Sequence, residues 1–184
     1  DLGSMLDKTR RIQQLVKAIG QRLSLSEAEQ IIVDRTAELC KADLATSMVV
    51  EMTELQGVMG RYYAKLSGEP EEVAEGIFEH YLPRNAEDRL PEGKPGTLVG
   101  IADRLDSIAG LFAVGLAPTG SKDPFALRRA ALGLVQLLIG KALEFDLDWG
   151  LTQAGKLLPV NFSEEDKQAA FEFITGRLRG LMLE

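Results

Sequence analysis

The residues with the greatest chemical potential in this chain lie in one run, Gly120-Ser-Lys-Asp-Pro-Phe-Ala-Leu-Arg-Arg-Ala-Ala-Leu-Gly133. A glycine-containing turn there leads into a helix N-terminus, where free N–H groups and the helix dipole favour an anion. Lys122 stands just before the helix, and Arg128 and Arg129 follow within its second turn. Such a grouping suits an RNA phosphate, because phosphate contacts dominate affinity and set position. Spacing alone equally allows a plainer arrangement, in which Asp123 fills the helix end as a cap and both arginines form surface ion pairs. Arg61 and Lys65 are further cations that could reach RNA.

The inventory for catalysis is thin. His80 is the only histidine, so neither a histidine-built metal site nor more than one Ser-His-acid arrangement is available. No Gly-x-Ser-x-Gly elbow, phosphate-binding glycine loop or dinucleotide fingerprint occurs. His80 sits beside Phe78 and Tyr81 and reads as a packed or boundary side chain. Asp103 and Asp106, three apart, share a helical face. Paired carboxylates can hold a metal or move protons, but a solvated face, or pairing with a basic neighbour such as Arg104, is the commoner use. Cys40 is the single cysteine, lies in an apolar-periodic stretch, and reads as a buried structural thiol in a reducing, cytoplasmic setting. No residue is assigned to catalysis or to a metal.

Composition bounds the remaining options. A hydrophobic share of 45% and a charged share of 27% are ordinary for a globular domain, and a length of 184 residues can bury a real core. The net charge of −7 argues against indiscriminate nucleic-acid binding. It leaves room for a local basic surface, since Lys122, Arg128, Arg129 and Lys141 face only Asp123 between Thr119 and Lys141. No apolar run is long enough to span a membrane. Asp1 to Met5 lacks the basic start and apolar stretch of a signal peptide and reads as a cloning remnant before a start methionine. Residues 6–184 are then one all-helical domain.

The elements that must position these groups are helices almost throughout. Ile12, Leu15, Val16 and Ile19 form the apolar stripe of a first helix over Leu6–Leu23. Ser26 with Glu29 is a capping box opening a second, which carries its apolar positions toward Lys41. Thr53 with Gln56 predicts another start, followed by Leu55, Val58, Met59, Tyr62 and Leu66, with Gly57 and Gly60 inside that helix for close packing. Pro70 opens a helix that Pro83 stops, and residues 83–96 form the clearest loop. A helix from about Thr97 buries Leu98, Ile101, Leu105, Ile108 and Phe112. Asp123-Pro124 reads as N-cap and first residue of the next, with shorter segments near 148–158 and from Ser163. The last segment reaches Glu184 without a stop, as expected of a cut inside a longer protein. Neither a fixed-period repeat nor a strand pattern is present.

The run Thr119 to Gly133 resembles a hallmark stretch of the beta subunits of bacterial two-subunit glycyl-tRNA synthetases. Glu54-Leu-Gln-Gly-Val-Met-Gly-Arg-Tyr-Tyr-Ala64, preceded by Lys41-Ala-Asp-Leu-Ala-Thr46, is similar to the same family. So are Ile101-Ala-Asp-Arg-Leu-Asp106 with Gly110-Leu-Phe112, and Glu79-His-Tyr-Leu-Pro-Arg84, all in the family's order over about residues 6 to 145.

The resemblance implies a heterotetramer that joins glycine to tRNA-Gly with ATP. ATP chemistry is expected in the alpha subunit and tRNA recognition in the beta subunit, with no cofactor in this piece. It also implies an all-α, HD-domain-like helical bundle. HD-domain enzymes hold metal with a histidine, a His-Asp pair and a later aspartate; the counterparts here are Ala42-Asp43 and Asp103, and the histidine ligands are missing. The leading expectation is therefore a tRNA-contacting and architectural module. A residual phosphohydrolase built on Asp43, His80 and Asp103 is one alternative. A scaffold that docks the alpha subunit or other beta regions, with apolar surface exposed around Leu181 to Leu183, is the other.

Overall fold

The computed structural model describes the backbone of residues 1–183 and the side chains of residues 1–180, so the expected apolar surface at Leu181 to Leu183 lies outside the described side chains. The described residues form an all-α bundle of nine helices. These are α1 Met5–Arg22, α2 Glu27–Leu39, α3 Ser47–Glu51, α4 Val58–Leu66, α5 Glu71–Glu79, α6 Lys94–Ala113, α7 Leu127–Gly140, α8 Leu147–Leu157 and α9 Glu164–Leu183. Two single 3₁₀ turns, Ala42–Ala45 and Thr53–Leu55, flank α3. The only bridge among the described residues is the isolated Thr119–Lys122 pair, and no described helix is long and apolar enough to cross a membrane.

α6 is the axis of the bundle, packed by α1, α2, α5, α7, α8 and α9. Its sequence suits that place, because a helix apolar on nearly every side must be surrounded. Leu98, Val99, Ile101, Ala102, Leu105, Ile108 and Ala109 are all buried in the main core with the Ile12–Ile19 stripe of α1 and Leu134 and Leu137 of α7. Small residues let its neighbours close in: a Cβ on Gly96 would overlap the Cβ of Glu79 and lie 3.2 Å from that residue's carbonyl carbon. Alanine at Gly96 is expected to cost about 1–3 kcal/mol through overpacking. At Gly176 in α9 nothing lies within 4 Å of the added carbon. Alanine there should instead stabilise by about 0.5–1 kcal/mol from helix propensity. Urea titration of the two single variants checks the opposite signs, and equal shifts would refute the packing argument.

The Ser26–Glu29 capping box forms as expected, with Ser26 Oγ accepting from Glu29 N and Glu29 Oε2 accepting from Ser26 N. Ser163 caps α9 in the same manner with Asp166. At the N-terminus Ser4 caps α1 through Asp7 and Leu2 lies against the main core. Three local expectations are corrected. Thr53 and Gln56 do not open a helix; they bound a 3₁₀ turn, and α4 starts at Val58. Gly57 is its N-cap at φ 78°, a left-handed conformation that favours glycine, instead of an interior residue. Gly60 does lie inside α4, pressed against Ile77 and Asp43. The third correction, at Asp123, concerns the site.

Candidate functional site

The first polar assembly is internal. Asp103 and Asp106 face Lys8 and Arg11 of α1 and Lys41 just after α2, Asp106 buried and Asp103 largely so, and Arg104 pairs with neither. Lys8 Nζ lies 3.0 Å from Asp103 Oδ1 and 2.9 Å from Asp106 Oδ2, and donates to Ser107 Oγ. Arg11 Nε donates to Asp106 Oδ1 at 2.6 Å. Lys41 Nζ donates to Asp103 Oδ2 at 2.7 Å, contacts His80 Nε2 at 2.9 Å and sits over the Tyr81 ring. Burial would raise the Asp103 carboxyl, but the Lys41 and Lys8 ammoniums outweigh it and hold it well below the ordinary carboxylate range. Burial, then the Lys41 charge, pushes His80 well below its ordinary value. His80 is therefore neutral, with Nδ1–H donating to the Ile77 carbonyl at 2.6 Å and Nε2 accepting from Lys41.

Arg104 turns the other way. Its buried guanidinium donates to the carbonyls of His80, Gly100, Tyr81 and Pro83, clasping the turn that contains the cis Leu82–Pro83 peptide. Burial lowers its pKa to about 10, and with four carbonyl partners it stays charged. The expectation that Asp103 and Asp106 are solvated or pair with Arg104 is thus replaced by pairing with Lys8, Arg11 and Lys41. A weak clue was present in the sequence: Lys8 and Arg11 continue the buried face of α1 toward its start. Cys40 is fully buried, and burial pushes its thiol up to about 12, consistent with an inert structural role.

Of the three residues assigned to a residual hydrolase, His80 Nε2 and Asp103 Oδ2 come within 3.9 Å of each other. The Lys41 ammonium occupies the position between them. Asp43 is spent elsewhere: its Oδ2 accepts from Gly57 N and Gly60 N and so caps α4, while its buried Oδ1 has no partner among the described residues. Among the described residues no group of three His, Cys, Asp or Glu forms that could hold a metal ion.

The second assembly is a cationic surface. The run Thr119 to Arg129 does not begin a helix at Asp123; Thr119–Lys122 closes a tight turn, Ala126 is left-handed at φ 55°, and α7 starts at Leu127. The reason is the Asp123 carboxylate, which reaches past Pro124 to accept from Leu127 N at 2.8 Å and Arg128 N at 2.9 Å. It fills the helix end itself, so the N-terminus is not vacant for an outside anion. Arg128 donates to the carbonyls of Gly120 and Lys122 and stiffens the turn. Lys122 and Arg129 are exposed, and among the described residues neither has a carboxylate in ion-pair range.

Arg61 lies over the Phe78 ring at 4.6 Å and pairs with Glu75 at 3.3 Å. Arg84 and Arg89, not picked out by the sequence as RNA contacts, also approach Phe78, at 5.9 and 5.8 Å. Both come from the loop after α5, where a mixed charge run concealed that one aromatic ring gathers three guanidiniums. Arg84 and Arg129 line a common cleft of about 260 Å³ with Gln56, Tyr81, Asp103 and Ser107. Lys65 shares Glu75 with Arg61 and pairs with Glu71 as well. Beyond it, α2, α5 and the loop before α6 form a groove of about 560 Å³ rimmed by six glutamates, including Glu29, Glu72 and Glu92. Arg89 and Lys94 line the same groove and pair with Glu79, Glu92 and Glu29, so the acidic rim and the cationic surface meet there.

The chain matches, over residues 1–184, the family model described as glycyl-tRNA synthetase beta subunit. It is 46% identical to a glycine–tRNA ligase beta subunit of Myxococcus xanthus over 98% of this chain and 27% of that protein. A Halothermothrix orenii protein of the same description is 52% identical over the whole chain, and one from Synechocystis is 47% identical over 99% of it. This chain spans 26–27% of the length of these relatives. With a family match along its full length, the chain belongs to the glycyl-tRNA synthetase beta subunit family.

Proposed function

We propose that this chain is an RNA-contacting and architectural module of a glycine–tRNA ligase, serving the ATP-dependent joining of glycine to tRNA-Gly by the complete alpha and beta subunits in the cytoplasm. In this reading an HD-like bundle has been reused for binding, and ATP chemistry belongs to the alpha subunit. The observation that carries the RNA contact is the gathering of Arg61, Arg84 and Arg89 around Phe78, continued through Arg84 to Arg129 in one cleft, with the exposed Lys122 in the turn before α7. Arginine beside an aromatic face suits both phosphate and base contact. The ion pairs these arginines make are partly exposed and worth little, so phosphate can replace the carboxylates. Of the five cations picked out by sequence, Lys122, Arg129 and Arg61 are best placed; Arg128 acts by shaping the turn, and Lys65 is tied up by two carboxylates, Glu71 and the Glu75 it shares with Arg61.

A salt series of tRNA-Gly binding tests the reading. Arg61→Ala and Lys122→Ala should each reduce the slope of log affinity against log salt by about one unit. Lys65→Ala should leave it unchanged. Parent-like slopes in both of the first two variants would remove this surface from the RNA interface.

A docking role is favoured by one separate observation. Met48, Val50, Met52, Tyr62 and Leu66 are large apolar side chains that stay 39–84% exposed across α3 and α4. Single exposed apolar residues are common, but several along one stretch suit contact with another part of the ligase.

A further inference from the structure

Two buried charged side chains, Glu79 and Arg104, grip the loop that carries Arg84 and Arg89, one at each end. Arg104 Nη1 donates to the His80 carbonyl at 3.1 Å, and Nη2 donates to those of Tyr81 at 3.1 Å and Pro83 at 3.0 Å. These carbonyls stand at and just beyond the C-cap of α5 and accept no backbone N–H among the described residues. Arg104 satisfies them in place of a continuing helix. Two glycines leave room for its guanidinium: a Cβ on Gly133 of α7 would lie 2.8 Å from Nε, and one on Gly100 would lie 3.0 Å from Nη1. At the other end of the loop, Glu79 Oε1 accepts from Glu92 N at 2.8 Å and Oε2 from Gly93 N at 3.0 Å, next to the start of α6. Glu79 Oε1 also lies 3.5 Å from Arg89 Nη1. Between the two grips, Asp88 accepts from the backbone N and from the Nε of Arg84. Leu90 packs against the main core, and Gln136 of α7 donates to the Ala86 carbonyl.

We propose that Arg104 and Glu79 are positioning residues of the RNA interface: they fix residues 84–91 in the free chain, so that Arg84 and Arg89 already stand beside Phe78 before RNA arrives. The inference rests on the RNA-contact reading and says how that surface is held ready. Neither residue touches RNA itself. Arg104 gives four of its five N–H groups to main-chain carbonyls, and both Glu79 oxygens serve the main chain. Residues 84–91 are polar apart from Ala86, Leu90 and Pro91 and belong to no helix, so such a loop gains little order from burial of its own side chains. Ordering it during binding would cost affinity, and a loop ordered beforehand removes that cost. Buried grips suit the task better than surface pairs, because salt screens them much less.

The test joins nuclear magnetic resonance relaxation of the free chain to the tRNA-Gly salt series. In the free parent, the backbone amides of the 84–91 loop should be as ordered as those of α5 and α6. Arg104→Lys keeps the charge but cannot span the three turn carbonyls, so order should fall from Arg84 onward; Glu79→Gln should loosen the Arg89 end. A loop already mobile in the parent, or one equally rigid in both variants, would overturn the proposal. In the salt series, Arg84→Ala should reduce the slope by about one unit in the parent and change it little in Arg104→Lys. Lys122→Ala should keep its effect of about one unit in both backgrounds. General loss of fold would weaken both contacts alike, so this contrast separates positioning from mere stability. An Arg84→Ala effect as large in Arg104→Lys as in the parent, or absent from both, would overturn the proposal. If Arg104→Lys does not fold, Gly133→Ala, which retains every charge and crowds the guanidinium, takes its place with the same expectations. A proposal overturned in these ways leaves the interface standing wherever Arg61→Ala still flattens the slope. A rigid loop with parent-like slopes in Arg61→Ala and Lys122→Ala would instead sink the interface reading, and the positioning role with it.

Discussion

Replacing Lys41 by methionine is expected to destabilise this fold by about 3 kcal/mol, near the lower end for breaking a buried ion pair. The thermal midpoint should fall by about 6–12 °C, given a response of about 2–4 °C per kcal/mol for a domain of this size. The Lys41 side chain is only 8% exposed, and its ammonium serves Asp103, His80 and the Tyr81 ring together. Methionine fills most of the space but leaves the Asp103 carboxylate desolvated with Lys8 alone. That remaining partner, at 3.0 Å, is why the lower end applies. Adding Asp103→Asn to Lys41→Met should cost less than the two single effects combined, because the second change removes the stranded charge. Strict additivity, or a midpoint close to the parent's, would show that Lys41 does not hold this core together.

The second large effect is in pH. His80 is the chain's only histidine, and its folded pKa lies well below the ordinary value. In the unfolded chain it takes up a proton near pH 6.5, whereas the folded chain resists. Below that pH the unfolded state binds more protons, so stability is full above it and falls as the solution is acidified. The slope should approach about 1.4 kcal/mol per pH unit until the folded pKa is reached. Asp103 adds a later stage: with its folded pKa depressed, its contribution is present above the unfolded value near pH 4 and is lost only as pH drops through the folded value. Urea unfolding of parent and His80→Gln between pH 7 and 5 checks the first stage. His80→Gln should flatten the dependence in that window whatever its absolute stability. A slope unchanged by the substitution would mean that His80 is not the titrating group.

Much of the bundle is legible in the sequence because its information is local. The α1 stripe, the Ser26–Glu29 box and the Pro70 start each depend on residues within one or two turns, and each forms. The errors are equally local in origin. Asp123-Pro124 has the right residue types for a helix start, but the carboxylate reaches four residues on, and the chain turns through a left-handed Ala126 first. Thr53 and Gln56 have capping spacing, yet Gly57 is drawn to Asp43, fourteen residues earlier, and α4 opens there.

The sequence by itself determined the all-helical class, the main apolar core, the inert buried thiol and the poverty of catalytic groups, since these follow from periodicity, composition and residue counts. It also carried the motifs that resemble glycyl-tRNA synthetase beta subunits. Only the tertiary structure decided which charges are spent internally and which remain for a partner. Lys8 and Arg11 stand over ninety residues, and Lys41 about sixty, from the carboxylates that folding brings to them. Arg84 and Arg89 lay in a mixed charge run and Arg129 in a separate basic one until the packing of Phe78 and of α6 against α7 brought them together. Charge pairing depends on distances of a few ångströms between segments remote in sequence, and no local pattern encodes those distances.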